Sequence, residues 1–136
     1  MDHFKHLNDN FGHEVGDLLL QEVAQRLLQS VRGIDTVARL GGDEFVVLIQ
    51  DLSAGAEEAR MHAATVGHKI LSSLNEPYLL QGQTHTITPS IGAALFDGRS
   101  LAPSDILKNA DRAMYDAKEH GRNGFRFFES KGAQAL

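Results

Sequence analysis

The five residues Gly41-Gly42-Asp43-Glu44-Phe45 carry the plainest chemical signature in the sequence. Adjacent carboxylates repel each other and are comfortable only beside a cation or hydrogen-bond donors. Two glycines next to them let a phosphate approach the backbone closely. Hard oxygen donors of this kind suit Mg²⁺, which takes one or two carboxylates together with substrate phosphates. The same residues also suit a charged hairpin turn whose glycines supply positive φ. A second cluster is Asp2, Lys5, Asn8 and Asp9, followed by Gly12, His13, Gly16 and Asp17. Asn and Asp side chains can read a purine edge, and Lys5 suits a phosphate. The alternative is a loop in which Asn8, Asp9 and Asp17 cap helices. Lys118 and Arg122 lie four apart across a predicted helix C-terminus, where both can face one anion, although the helix dipole favours cations there in any case. Met114 and Tyr115 beside them read as core or interface. Arg32 and Asp35, with five residues between them and Gly41, either grip a guanine and a phosphate or form a surface ion pair worth ~0–1 kcal/mol. The seven histidines offer no convincing set of three ligands and read as non-metal.

The elements that must position these residues follow from periodicity. Leu19, Val23, Leu27 and Val31 recur every four residues and predict an amphipathic helix from about Glu14 to Arg32, stopped by Gly33. Thr36 to Leu40 and Phe45 to Ile49 read as two strands joined by a tight turn over 41–44. A second helix is predicted from Ala54 to Leu74 with Ser53 as N-cap. A second hairpin follows, Tyr78–Leu80 and His85–Thr88 around Gly82. Ser90 to Phe96 predicts a strand buried on both faces, with Pro89 marking a bulge or an edge. The third helix runs from Ser104 to His120, with Ile106, Leu107, Ala110, Met114 and Ala117 as its buried stripe and Gly121 as its stop. Phe125 to Phe128 is a last strand. Helices packed on a largely antiparallel sheet make an α+β sandwich. Residues 1–9 hold no strand, yet they begin as though one had just ended, so a first strand is expected upstream of Met1. Residues 1–129 read as one domain and 130–136 as a tail or linker.

Composition removes several classes of function. The chain has 136 residues, with 13 Lys and Arg against 18 Asp and Glu, a formal net charge of -5. Such a chain binds nucleic acid or anionic membrane poorly. Without cysteine, disulfides, thiolate catalysis and Cys-based zinc sites are excluded. The longest wholly apolar run, Phe45 to Ile49, falls far short of a membrane span. The expectation is a soluble, cytoplasmic domain.

Taken together and in order, the motifs resemble a known family. Phe4-Lys5, Asn8-Asp9, Gly12-His13 and Gly16-Asp17, then Arg32 and Asp35, Gly41 to Phe45, Ser90-Ile91-Gly92, and Ala117-Lys118 with Gly121-Arg122-Asn123, are similar to a GGDEF domain of the diguanylate cyclases. The resemblance covers nearly the whole chain. It implies a fold like the palm of nucleotidyl cyclases and polymerases, ferredoxin-like, with an antiparallel-rich sheet flanked by helices. It implies condensation of two GTP into cyclic di-GMP and two pyrophosphates by two-metal phosphoryl transfer with Mg²⁺ or Mn²⁺, across a homodimer in which each subunit holds one GTP. By the same resemblance Asp43 and Glu44 are catalytic and metal-binding, with Met1 adding a backbone carbonyl. Gly41 and Gly42 lie against the phosphates. Asn8 and Asp17 read guanine beside Phe4, and Lys5, Lys118 and Arg122 bind the triphosphate. Arg32 and Asp35 match the site where cyclic di-GMP inhibits. The family pattern also places a metal-binding Asp just before Met1 and an Asp-x-Leu-Thr-Gly-Leu segment further upstream. The chain therefore reads as a cyclase domain short of its first strand, from a protein that also carries sensor or EAL phosphodiesterase domains. The rival readings are a catalytically silent module that binds GTP or cyclic di-GMP, and a ferredoxin-like interaction domain that binds no nucleotide.

Overall fold

The computed structural model describes residues 1–50, 55–96 and 102–129. The chain divides into two compact units, Met1–Pro89 and Ser90–Leu136. The first unit holds α1 (Phe4–Phe11), α2 (His13–Ser30), β1 (Thr36–Gly41), β2 (Glu44–Leu48), α3 (Ala56–Asn75), β3 (Tyr78–Leu80) and β4 (Gln83–His85). The second holds β5 (Ser90–Ala93), α4 (Pro103–Glu119) and β6 (Gly124–Phe127). Each pair of strands forms its own two-stranded ladder: β1–β2 and β3–β4 are antiparallel, β5–β6 parallel. The α+β expectation stands, with two antiparallel pairs and one parallel pair.

In the first unit the core is built on α2. Leu19, Val23 and Leu27 of the expected stripe are buried, joined by Val15 and Leu20. Val31 falls one residue beyond the helix, extended at φ -124 and half-buried. Residues 4–11 form a helix that the capping reading of this segment did not include. Its seven polar and apolar neighbours around Leu7 give little intrinsic drive, but Leu7 is buried as α1 packs on α2, and tertiary packing of this kind decides short helices. Asp2 is buried as well: its N–H donates to Thr88 O at 2.8 Å and its Oδ2 accepts from Thr88 Oγ1 at 2.7 Å. The α3 helix begins at Ala56 with Gly55 as N-cap, while Ser53 lies outside the described residues.

The end of α3 is tied to α2 by Arg26. Arg26 on α2 donates from Nη1 to Ser73 O and Glu76 O, at 2.9 and 2.7 Å, and from Nη2 to Pro77 O at 2.8 Å. These carbonyls lie at a helix C-terminus, where backbone acceptors lack helical partners. The same guanidinium stacks 3.8 Å from the ring centroid of fully buried Tyr78. Tyr78 Oη donates to Leu74 O at 2.8 Å. Burial pushes its pKa up to about 12, outweighing the pull of Arg26.

The second hairpin is shorter than expected, since β4 ends at His85 and residues 86–89 join no ladder. That agrees with Pro89 interrupting the strand, because proline has no N–H to donate.

In the second unit, β5 stops at Ala93 and its four residues are half-buried, so the expectation of a strand to Phe96 covered on both faces is corrected. The α4 helix opens with Pro103 at its first position and Asp105 in its first turn, both suited to a helix N-terminus. Its buried face is Ala113 and Ala117, and Leu107 is 42% exposed, which corrects the expected stripe. The cause is Gly92. A Cβ there would lie 2.1 Å from Ala110 O and 2.2 Å from Met114 N, so strand and helix meet backbone to backbone. Small residues suit such an approach, and Ala113 and Ala117 are the buried ones.

Candidate active site

The Gly41–Glu44 turn sits where expected, at the tip of the β1–β2 hairpin. Gly41 pairs with Glu44, and the register shifts between Arg39 and Gly41, leaving Leu40 as a bulge. Gly42 has φ +51, a left-handed conformation that costs a residue with a Cβ about 1 kcal/mol or more. Asp43 is half-buried and Glu44 exposed. The main-chain nitrogen of Met1 donates to Asp43 Oδ2 at 2.9 Å and to Asp43 O at 3.1 Å. A carboxylate oxygen and a backbone carbonyl of one residue thus converge on a single point. Both are hard oxygens, the donors that Mg²⁺ or Mn²⁺ selects, so the turn fits a divalent cation. Among the described residues, no group of three or more His, Asp or Glu side chains is placed to hold a metal. Such an ion would therefore draw on Asp43, Glu44 and main-chain or substrate oxygens.

A side chain absent from the sequence reading completes the turn. Arg39 Nε donates to Gly42 O at 2.8 Å. The available signal was its place two residues before the glycine pair, within reach of the turn.

The second cluster is assembled by the α1–α2 junction. Asn8 lies over Gly16, where a Cβ would sit 1.8 Å from Asn8 Oδ1 and 3.3 Å from Phe4 Cζ. Phe4, Asn8 and Gly16 are therefore brought together, and the glycine is what leaves room for the amide. Asn8 Oδ1 is buried without a hydrogen-bond partner. A buried acceptor in that state costs roughly 1–3 kcal/mol until a donor reaches it. Lys5 and Asp17 are exposed on the same two helices.

A half-open cavity of about 620 Å³ also lies in the first unit, lined by His3, His6, Phe11, His85 and neighbours. Asp2 of the second cluster also lines it, whereas Asp43, Glu44, Asn8, Lys118 and Arg122 do not.

Arg32 and Asp35 do meet. Asp35 Oδ2 accepts from Arg32 N at 2.9 Å and lies 3.5 Å from Arg32 Nε, and Oδ1 accepts from Gln50 N at 3.1 Å. Arg32 Nη2 donates in turn to Gln50 O. The pair ties the end of α2 to the end of the hairpin. Burial pushes the Asp35 carboxyl upward, but the N–H groups of Gln50 and Arg32 and the Arg32 guanidinium outweigh it and hold the pKa below 3.8. A carboxylate depressed in the fold contributes stability above its unfolded pKa and loses it as pH falls through the folded one. Asp35→Asn is therefore expected to cost about 1–2 kcal/mol at pH 7. Urea titrations of wild type and variant should converge as pH drops well below 3.8. A gap that persists unchanged in acid would contradict the assignment.

In the second unit, Lys118 lies in the last turn of α4, its ammonium 5.8 Å from the Tyr115 ring centroid. The helix ends at Glu119, so Arg122 is not a helical neighbour of Lys118. It adopts φ +62 beyond the cap, with its N–H donating to Ala117 O at 3.0 Å. Among the described residues, no helix is long and apolar enough to cross a membrane.

Comparison with known proteins gives this geometry its family. The family described as diguanylate cyclase, GGDEF domain, matches residues 1–124, and the chain belongs to it. The bifunctional diguanylate cyclase/cyclic di-GMP phosphodiesterase MucR of Pseudomonas aeruginosa is 48% identical over 130 residues, which cover 96% of this chain and 18% of that protein. Diguanylate cyclase TpbB of the same species is 40% identical over 136 residues, 99% of this chain and 30% of that protein. The chain thus spans less than a third of the length of either. Among solved structures, the GGDEF domain of PA1120 (YfiN or TpbB) from P. aeruginosa matches with a TM-score of 0.84 at 39% identity, covering 96% of this chain and 78% of that one. The GGDEF domain of DgcB from Caulobacter crescentus, in complex with c-di-GMP, matches with a TM-score of 0.82 at 28% identity, covering 95% and 74%. The fold is the palm-like α+β fold of these domains.

Proposed function

We propose that the protein carrying this chain is a diguanylate cyclase that condenses two GTP into cyclic di-GMP and two pyrophosphates. The observation that carries the reading is Asp43 at the tip of the glycine turn, with its carboxylate and its backbone carbonyl directed at one point. In this reading a homodimer brings two bound GTP face to face, and the 3′-hydroxyl of each attacks the α-phosphorus of the other as pyrophosphate leaves. Asp43 takes up the hydroxyl proton, and Glu44 adds a second carboxylate. When bound, Mg²⁺ or Mn²⁺ supplies charge stabilisation at the attacking and leaving oxygens. Gly41 and Gly42 leave the backbone open to phosphate, and Lys5, Lys118 and Arg122 bind the triphosphate. Asn8 and Asp17 read guanine beside Phe4. The unsatisfied buried Oδ1 of Asn8 supports this, since a base N–H would supply the missing donor.

The same reading makes Arg32 and Asp35 the site of product inhibition. Cyclic di-GMP binding there has to exchange against Arg32's existing bond to the Gln50 carbonyl. Fusion to sensor or EAL phosphodiesterase domains and a cytoplasmic location belong to the same proposal.

Gly16→Ala tests it with little disturbance of the fold, because the clash falls on the mobile end of Asn8 and not on backbone. The protein at its natural length, with Mg²⁺, is expected to release pyrophosphate from GTP and not from ATP. Gly16→Ala should raise KM for GTP roughly 10- to 100-fold, the loss of one or two hydrogen bonds at 1.4 kcal/mol per factor of ten. Equal use of ATP, or a Gly16→Ala variant with unchanged KM, would defeat the guanine reading. Tight GTP binding without pyrophosphate release would replace the cyclase by a silent binding module.

A further inference from the structure

The turn that carries Asp43 is not held by its own ladder alone. Gly42 is left-handed, Leu40 is bulged out of register, and both glycines have open space around them. A loop of this composition has many accessible conformations, because glycine loses more freedom on ordering than any other residue. The Arg39 Nε–H bond to Gly42 O is a side-chain tether on this turn, beside the bonds from the Met1 nitrogen to Asp43. Gly42 O belongs to the peptide that also contains the Asp43 N–H. Fixing that carbonyl therefore fixes the plane from which the Asp43 side chain and the next carbonyl depart.

We propose that Arg39 is a positioning residue for the reaction, acting through the Gly42–Asp43 peptide and not through contact with substrate. This rests on the reading of the turn as catalytic. What is needed from Arg39 is a donor at the Nε position, and the positive charge is secondary. Displacing a reacting group by about 1 Å can cost on the order of 100-fold in rate while leaving substrate affinity alone.

Two variants separate donor from charge. In Arg39→Gln the side-chain amide nitrogen falls at the position of Nε, so the donor survives without the charge. In Arg39→Met a methyl group falls there and both are lost. Both are to be compared in the protein at its natural length, with Mg²⁺ and GTP. Arg39→Met is expected to lose roughly 30- to 100-fold in kcat with KM for GTP within about threefold, and Arg39→Gln to recover most of that loss. A second readout needs neither metal nor nucleotide. The carbonyl ¹³C shift of Gly42, measured by NMR, should move in Arg39→Met and return in Arg39→Gln. Equal loss of kcat in both variants, an effect confined to KM, or a Gly42 carbonyl shift indifferent to residue 39 would overturn the proposal. Asp43→Ala run in parallel keeps the two levels apart. If it retains full activity, the reading of the turn as catalytic fails, while the Gly42 shift still decides whether Arg39 holds the peptide.

Discussion

Gly92→Ala is expected to destabilise the second unit by about 3 kcal/mol or more, the cost typical of overpacking that backbone cannot relieve. The added methyl would lie 2.1 Å from Ala110 O, 2.2 Å from Met114 N and 2.9 Å from Ala113 C. All three are main-chain atoms of α4. A side chain would swing aside, but here the whole helix has to move off the strand. Doing so opens the contact that buries Ala113 and Ala117 and strains the parallel pairing of Ser90–Ala93 with Gly124–Phe127. Thermal unfolding should show the transition lowered by roughly 6–12 °C, taking 2–4 °C per kcal/mol for a chain of this size. Ser90→Ala, two residues away on the same strand, serves as the control for strand propensity. A Gly92→Ala variant that melts with wild type would show that strand and helix do not meet at this distance.

That contact also explains which parts of the fold were legible beforehand. The β1–β2 hairpin could be read because its turn chemistry and the two β-rich runs beside it agree with each other. Helix α2 could be read because its stripe is made of large aliphatic residues that bury as their period says. In α4 the period was right and Ala117 of the expected stripe is buried, but Leu107 is exposed and Ala113 takes its place in the core. Weighing side chains by hydrophobicity favours Leu107, whereas the close approach at Gly92 selects the small residues Ala113 and Ala117. Helix α1 escaped because Asn8 and Asp9 read as caps, and only packing against α2 makes the segment helical. At the site, residue types pointed to Asp43 and Asn8. Arg39 was invisible, since its role depends on a bond across the turn and not on its own chemistry.

The largest effect on activity is expected at Asp43. In the proposed reaction it both accepts the proton of the attacking hydroxyl and contributes oxygens to the cation. Replacing it by alanine removes the carboxylate that the Met1 nitrogen meets at 2.9 Å and leaves only the backbone carbonyl. Proton transfer alone accounts for about 10²–10⁴-fold in rate. Losing a metal oxygen in addition should bring the total to roughly 10³-fold or more, with GTP affinity reduced far less because the base and most phosphate contacts lie on other residues. Glu44→Ala should fall in the same direction. The exposed position of Glu44 makes it the lesser partner.

The decisive measurement is product identity. The protein at its natural length is incubated with GTP and Mg²⁺, and the nucleotides are resolved by mass spectrometry beside an identical Asp43→Ala reaction. The account predicts cyclic di-GMP from the wild type and none above background from Asp43→Ala, with both proteins folded and binding GTP. Cyclic di-GMP in equal yield from the two, or none from a wild type that binds GTP, would contradict it.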